Sequence, residues 1–229
     1  MTTRAKRRPA QQRKRLILET AQAVFAASNY TKVGTAELAK AAGISEPALY
    51  RYFPSKKELF ISTLKATGGR LLDIWERIAS EVVDPLEIIR AIGLGYYDHL
   101  RSRSPVMKLL FQAVSEADDE QIRQALHDNF ASFIRFLEET ITEGKRRGLI
   151  RQDVDTTTAA WQFMATGLAL DLVHLLGFDE EIDRRSVEDW GRLYQESIQE
   201  KPIGANKPEG RLAAGGTVPL WESPRQGLP

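Results

Sequence analysis

The stretch GTAELAKAAGISEPALYRYFPSKKEL, from Gly34 to Leu59, decides the fold. Thr35 is placed to cap a short helix carrying Leu38, Ala39 and Ala42, and Gly43 stops that helix where a left-handed residue is needed. After Ile44, Ser45 caps a second helix with Pro47 in its first turn, where the missing amide proton costs nothing. Pro54 ends it, and Ser55 with Glu58 forms a capping box that opens a much longer helix. Two short helices joined by a glycine-containing turn have the form of a helix-turn-helix, whose second helix can enter the major groove of DNA. Leu38, Ala39, Ile44 and Leu49 hold the pair together, and Phe53 belongs to the core. The remaining face offers Ser45, Glu46, Pro47, Ala48, Tyr50, Arg51 and Tyr52, groups suited to base edges and phosphates. Glu46 has three readings: it accepts from a cytosine, rejects other bases, or caps the helix.

Outward from this motif the whole chain has helical spacing, with no alternating β-branched runs, so the expectation is an all-α protein of about nine helices. A first helix runs from about Gln11 to Ser28. The long fourth helix passes through Leu59, Leu64, Leu71, Leu72 and Trp75. Asp84 with Pro85, and Ser104 with Pro105, open the fifth and sixth. A seventh, from about Asp118 to Arg146, aligns Ile122, Leu126, Phe130, Phe133, Leu137 and Ile141, and Gly148 closes it. Asp155 starts an apolar eighth helix, and a ninth spans about Arg184 to Gln199. The organisation predicted is a disordered basic arm at 1–10, a three-helix helix-turn-helix domain at 11–56, a larger helical domain at 57–200 and a disordered tail at 201–229, which holds five Pro and five Gly.

Charge supports this division. The net charge is +1, yet residues 1–57 carry 12 Lys/Arg against 3 Glu. A basic front on an otherwise acidic chain is the pattern of a nucleic-acid reader with a separate second domain, or of a solvated tail. Arg4, Lys6, Arg7, Arg8, Arg13, Lys14 and Arg15 read as a flexible arm that either tracks a groove or serves as a solvated leader. The absence of cysteine removes disulfides, thiolate zinc sites and cysteine nucleophiles, and a cytoplasmic location is the default expectation. No secretory signal is legible. The stretch Ala159 to Phe178 has about the length of a membrane span, but Asp171 and His174 oppose insertion, so it reads as a fully buried helix.

The patterns TxxxLAxxAGIS and xxALYRYFPSKxEL closely resemble the DNA-binding signature of TetR-type transcriptional regulators, over about residues 12–65. The resemblance implies a sequence-specific regulator, a ligand-released repressor in the usual case, that binds a near-palindromic double-stranded operator as a homodimer. It implies that Thr35 and Lys56 hold phosphates, that Ser45 to Tyr52 form the recognition helix, and that Tyr50 contacts the DNA backbone. It also implies an effector pocket among helices four to eight and a dimer interface on helices eight and nine. For the pocket the expected residues are Ile92, Tyr96, His99, Met107, Phe111, Phe130, Phe133, Trp161, Met164 and Leu168, suiting a small, mostly apolar effector with Tyr96 or His99 as its polar handle. For the dimer they are Phe163, Gly167, Leu170, Trp190 and Tyr194.

Enzymatic chemistry finds no support. His99, His127 and His174 lie on different helices without ligand spacing, no phosphate-cradling glycine loop is present, and Asp118–Asp119 and Glu138–Glu139 fit helix starts and solvated faces. No cofactor and no metal are expected. The rival reading keeps DNA binding but gives the second domain a protein partner in place of a small molecule, and a filled or open pocket separates the two.

Overall fold

The computed structural model describes residues 10–101 and 106–200. Nine helices form among them: α1 Ala10–Ala27, α2 Thr35–Ala41, α3 Glu46–Tyr50, α4 Lys56–Glu81, α5 Pro85–Arg101, α6 Val106–Ser115, α7 Glu120–Arg146, α8 Thr156–Leu176 and α9 Arg184–Ile198. The all-α expectation holds. An isolated antiparallel bridge between Ile150 and Gln199 ties the α7–α8 loop to the end of α9. The arm at 1–9, the Ser104–Pro105 start of the sixth helix and the tail at 201–229 lie outside the described residues.

Side-chain caps set most helix starts. Ser55 accepts from the Glu58 amide at 3.0 Å, Asp84 from Leu86 at 2.8 Å, Asp119 from Gln121 at 2.9 Å, Asp155 from Thr158 at 2.7 Å and Asp183 from Ser186 at 2.9 Å. Gly43 and Gly148 take the positive φ angles, 65° and 71°, that their stop positions require. Three local expectations change. Gly34, not Thr35, is the N-cap of α2, because the Thr35 hydroxyl is turned across to Glu46. Ser45 caps α3 by backbone geometry with no side-chain bond. Arg13, Lys14 and Arg15 belong to α1 and not to an arm; Lys14 lies over the Phe53 ring at 5.4 Å and Arg15 pairs with Glu19 at 3.1 Å.

The first apolar cluster does not stop at the helix-turn-helix. Ile17, Ala21 and Phe25 of α1, Leu38 and Ala39 of α2, Leu49 of α3, and Phe53 pack with Leu59, Phe60 and Leu64 of α4, Leu109 and Ala113 of α6, and Ile122 and Leu126 of α7. A second cluster joins Trp75, Ile89, Ile92, Phe133, Leu137, Ile150, Ala160 and Tyr194 in the body of the protein. A third, smaller one holds Leu100, Met107, Leu170 and Val187.

Helix α8 departs from the fully buried expectation. Ala159, Ala160, Leu170 and Asp171 are its buried residues, whereas Trp161, Leu172, Leu175 and Leu176 are exposed. One flank packs on α5 and α7, and no other described helix of this chain covers the opposite flank. By length and composition α8 could also cross a membrane.

Gly144 sits where α7 meets the following loop, and a Cβ there would approach Ile150 Cδ1 to 2.5 Å. Gly144→Ala is therefore expected to lower stability by about 1–3 kcal/mol through overpacking. Gly95, exposed on α5 with open space around its position, is the control, and Gly95→Ala should raise stability by up to about 1 kcal/mol. Urea unfolding of both variants measures the two signs.

Candidate functional site

The reading face is built around a polar contact between α2 and α3. The Thr35 hydroxyl donates to Glu46 Oε1, and the Tyr50 hydroxyl donates to Thr35 Oγ1 at 3.3 Å. Glu46 is thus engaged with Thr35 inside the face, which fixes the two short helices relative to each other. Around this contact Ser45, Pro47, Tyr50 and Arg51 are exposed, while Ala48 is half-buried and Tyr52 packs against the first core cluster. Phe53 is buried, as its core assignment requires.

Lys56 is placed differently from the expectation of a phosphate ligand. Its Nζ donates to the carbonyls of Tyr30, at 2.9 Å, Val33, at 3.1 Å, and Thr31, at 3.4 Å, and it lies 4.7 Å from the Tyr30 ring centroid. An ammonium has three protons, and three carbonyls take them. The side chain closes the α1–α2 loop and so sets the position of Thr35.

Polar contacts reinforce the junction between the first helices and the body. Lys57 Nζ meets Asp119 Oδ2 at 2.9 Å; Lys57, together with the amides that Asp119 caps, holds that carboxyl below the ordinary carboxylate range. Gln112 of α6 donates its Nε2 to the carbonyls of Phe25, at 2.6 Å, and Ser28, at 2.9 Å, so the C-terminal end of α1 is capped from the body. Neither residue was singled out in the sequence, where a lone Gln on an apolar helix gives no signal of what it caps.

Beneath the head lies a cavity of about 320 Å³, walled by α4 through Leu64, Leu71 and Trp75, by α6 through Val106, Leu109 and Leu110, and by residues of α5, α7, α8 and α9. Six expected pocket residues line it: Ile92, Tyr96, Phe130, Phe133, Met164 and Leu168. The other four lie off its wall. Met107 and Phe111 occupy the neighbouring stripe of α6 and pack into the third cluster, His99 lies a turn beyond the lining of α5, and Trp161, 49% exposed, points away from the interior. The five residues expected at a dimer interface, Phe163, Gly167, Leu170, Trp190 and Tyr194, also line the cavity. Gly167 faces Tyr96, whose ring carbon would lie 3.9 Å from an added Cβ.

The wall carries one deeply buried carboxyl. Asp171 is 1% exposed and accepts from the Tyr96 hydroxyl at 2.6 Å. Burial pushes its pKa up to about 6, against the opposing pull of Tyr96 and of His174; burial, then Asp171 itself, raises that of Tyr96. A single carboxylate in an apolar helix was visible in the sequence, but only as an obstacle to membrane insertion. No group of His, Asp and Glu suited to hold a metal occurs among the described residues.

Residues 17–63 match the family profile of bacterial regulatory proteins, tetR family. The helix-turn-helix segment is thus that of the TetR family. The chain is 23% identical over 150 residues to the fatty acid metabolism regulator protein of Bacillus subtilis, covering 66% of this chain and 77% of that one. It is 28% identical to the nucleoid occlusion factor SlmA of Vibrio atlanticus, over 61% of this chain and 71% of that one. Among solved structures, the regulator FadR of Bacillus subtilis in complex with stearoyl-CoA superimposes with a TM-score of 0.66 at 19% identity, covering 80% of this chain and 95% of that one. The protein is therefore a DNA-binding transcriptional regulator of TetR type, with an N-terminal helix-turn-helix on a larger helical body.

Within this TetR frame two consequences are measurable. Lys56→Ala is expected to lower stability by about 2–3 kcal/mol by leaving loop carbonyls without their charged donor, and to leave the salt dependence of DNA binding unchanged. A salt slope reduced by one phosphate contact would return Lys56 to the DNA. For Asp171 the folded state binds the proton more tightly than the unfolded chain, so wild-type stability falls as pH rises from about 4 through 6. Asp171→Asn removes that loss. The difference in unfolding free energy, variant minus wild type, should grow by up to about 3 kcal/mol between pH 4 and pH 7.

Proposed function

We propose that this protein is a ligand-released repressor that binds a near-palindromic operator as a homodimer and is controlled by a small, mostly apolar molecule held in the inner cavity. The observation that carries this reading is Leu109, which is at once part of the head's core and part of the cavity wall. Leu64 and Leu126 share that double membership. Filling the cavity therefore presses on side chains that seat the head, and α6 passes any shift to the end of α1 through Gln112.

On the DNA side, residues 11–56 act as the reading head. Arg51, Ser45 and Pro47 reach bases or phosphates, and Tyr50 reaches the backbone, held by Thr35 and Glu46. Two such heads must stand about 34–36 Å apart to meet successive major-groove faces. A ligand that prefers another spacing weakens operator binding by its differential affinity for the two arrangements, and the operator weakens ligand binding by the same factor.

The dimer contact is best supported on the outer flank of α8, where Trp161, Leu172, Leu175 and Leu176 are exposed together, with Phe178 just beyond and Leu193 on α9. An apolar patch of this kind on a DNA reader built for inverted sites calls for a second copy. This moves the expected interface from the inward residues Phe163, Gly167, Leu170, Trp190 and Tyr194 to the opposite side of the same two helices. The stearoyl-CoA complex of the Bacillus subtilis neighbour is precedent for an apolar chain in this fold, and the apolar class is all we carry over. The alternative, a docked protein partner, is the less favoured, because an open cavity of about 320 Å³ is not needed for it. The site of action is the cytoplasm, where the DNA is.

Selection of bound duplexes from a random pool should return an inverted repeat, and Arg51→Ala should change the recovered sequence or weaken binding to all of it. Leu172→Asp combined with Leu176→Asp should give a monomer by sedimentation and lose preference for the paired half-sites, whereas Gly167→Trp should leave the dimer intact. Single half-sites recovered by wild type, or an undisturbed dimer in the double variant, would exclude the proposed assembly.

A further inference from the structure

The cavity's charged lining is unequal. Arg90, Glu188 and Asp171 are its ionisable members besides the tyrosines. Arg90 is exposed and already paired with Glu87 at 2.7 Å, and Glu188 is exposed and lies 3.4 Å from Arg184. Asp171 alone of the three is buried. Among the described residues no lysine or arginine forms an ion pair with it, and the charge-forming groups near its end of α8 are engaged elsewhere: His174 Nδ1 meets Asp179 at 2.8 Å, and Arg101 meets the same carboxylate at 3.6 Å. Tyr96 supplies a hydrogen bond but no charge. A carboxylate withdrawn from water without a cation is costly, and a cation brought by a ligand removes that cost.

The rest of the wall suits a positive group and an apolar body. Trp75, Tyr96, Phe133, Phe163 and Trp190 line the cavity, and the faces of such rings attract cations. Leucines and Met164 supply surface for a hydrocarbon portion. At the Asp171 end of the wall a free carboxylate is repelled by Asp171, and the Tyr96 hydroxyl proton is already given to that carboxyl.

We infer that this cavity selects an apolar molecule bearing one protonated nitrogen, with Asp171 as the residue that receives the cation beside Tyr96. This deepens the effector reading and rests on it. The raised proton affinity of the buried carboxyl agrees with the geometry, since a group pushed up to about 6 is still mostly ionised at pH 7.5 and has the most to gain from a cation. A purely structural Asp171, serving only to pin α5 to α8 through Tyr96, is the competing account.

Decylamine, decanol and decanoate share one chain and differ in the charge of the head, so calorimetry of the full-length protein at pH 7.5 with these three probes separates the accounts. Wild type should bind decylamine at least about tenfold more tightly than decanol, and decanoate most weakly. Asp171→Asn should weaken decylamine by about tenfold or more, leave decanol within about threefold and improve decanoate. Tyr96→Phe, which keeps the carboxylate, should keep the preference for the amine. Equal weakening of decylamine and decanol in Asp171→Asn would make the residue structural and overturn the inference, as would a wild-type preference for decanoate. If decanol binds with no discrimination by charge, the cavity remains an effector site and the cation selection falls. If none of the three binds, both fall together.

Discussion

The head of this protein has no closed core of its own. Phe25 and Phe60, both fully buried, meet edge to face at 5.0 Å, and the layer above them is completed by Leu109, Ala113, Ile122 and Leu126, which α6 and α7 contribute. A three-helix unit of under fifty residues buries too little apolar surface to be comfortably stable alone, so borrowing a wall from the body solves a physical problem. The same loan makes the body's arrangement felt by the reading helix. Polar contacts follow the apolar seam: Gln112 satisfies carbonyls at the end of α1, and Lys57 meets the carboxylate that caps α7. The seam explains why a cavity wall and a DNA face belong to one mechanical unit.

Several polar groups inside the body join neighbouring helices. Asn129 donates to the Leu64 carbonyl at 3.1 Å across the surface of Gly68, which has no room for a side chain; an added Cβ would come within 2.5 Å of the Asn129 amide carbon. Tyr194 donates to the Ala159 carbonyl at 3.0 Å at the start of α8. These bonds leave no charge behind. Asp171 differs in kind, because it brings a buried charge-forming group to the cavity wall.

Much of the fold was legible before the structure. Gly43 and Gly148 mark helix ends because a left-handed residue carries almost no penalty there only for glycine, and Asp84, Asp119 and Asp155 mark starts because their short side chains reach free amides. Less legible was which side of a helix faces what. The eighth helix is apolar all round, so periodicity gave no phase by which to separate Trp161, which points outward, from Phe163 and Gly167, which line the cavity. Lys56 shows the same gap in another form. A lysine at a helix start reads as an anion ligand, and only the path of the α1–α2 loop reveals that carbonyls claim its protons first.

The proposed switch needs little energy, and its parts can be assigned by asking which contacts would change. A hundredfold loss of operator affinity requires the ligand to prefer the released arrangement by about 2.7 kcal/mol. Burying about 100 Å² more apolar surface in one arrangement than in the other supplies about 2.5 kcal/mol. That difference must arise where the cavity touches the head's core, at Leu64, Leu109 and Leu126. Asp171 joins α8 to α5 within the body and lies outside the head's core cluster, so on the proposed reading a contact with it is the same in both arrangements. It tightens binding in both states and so carries no signal. On the proposed reading, recognition and release are divided between two ends of one cavity: the buried carboxyl selects the molecule that enters, and the apolar end beside α6 transmits its entry to the head.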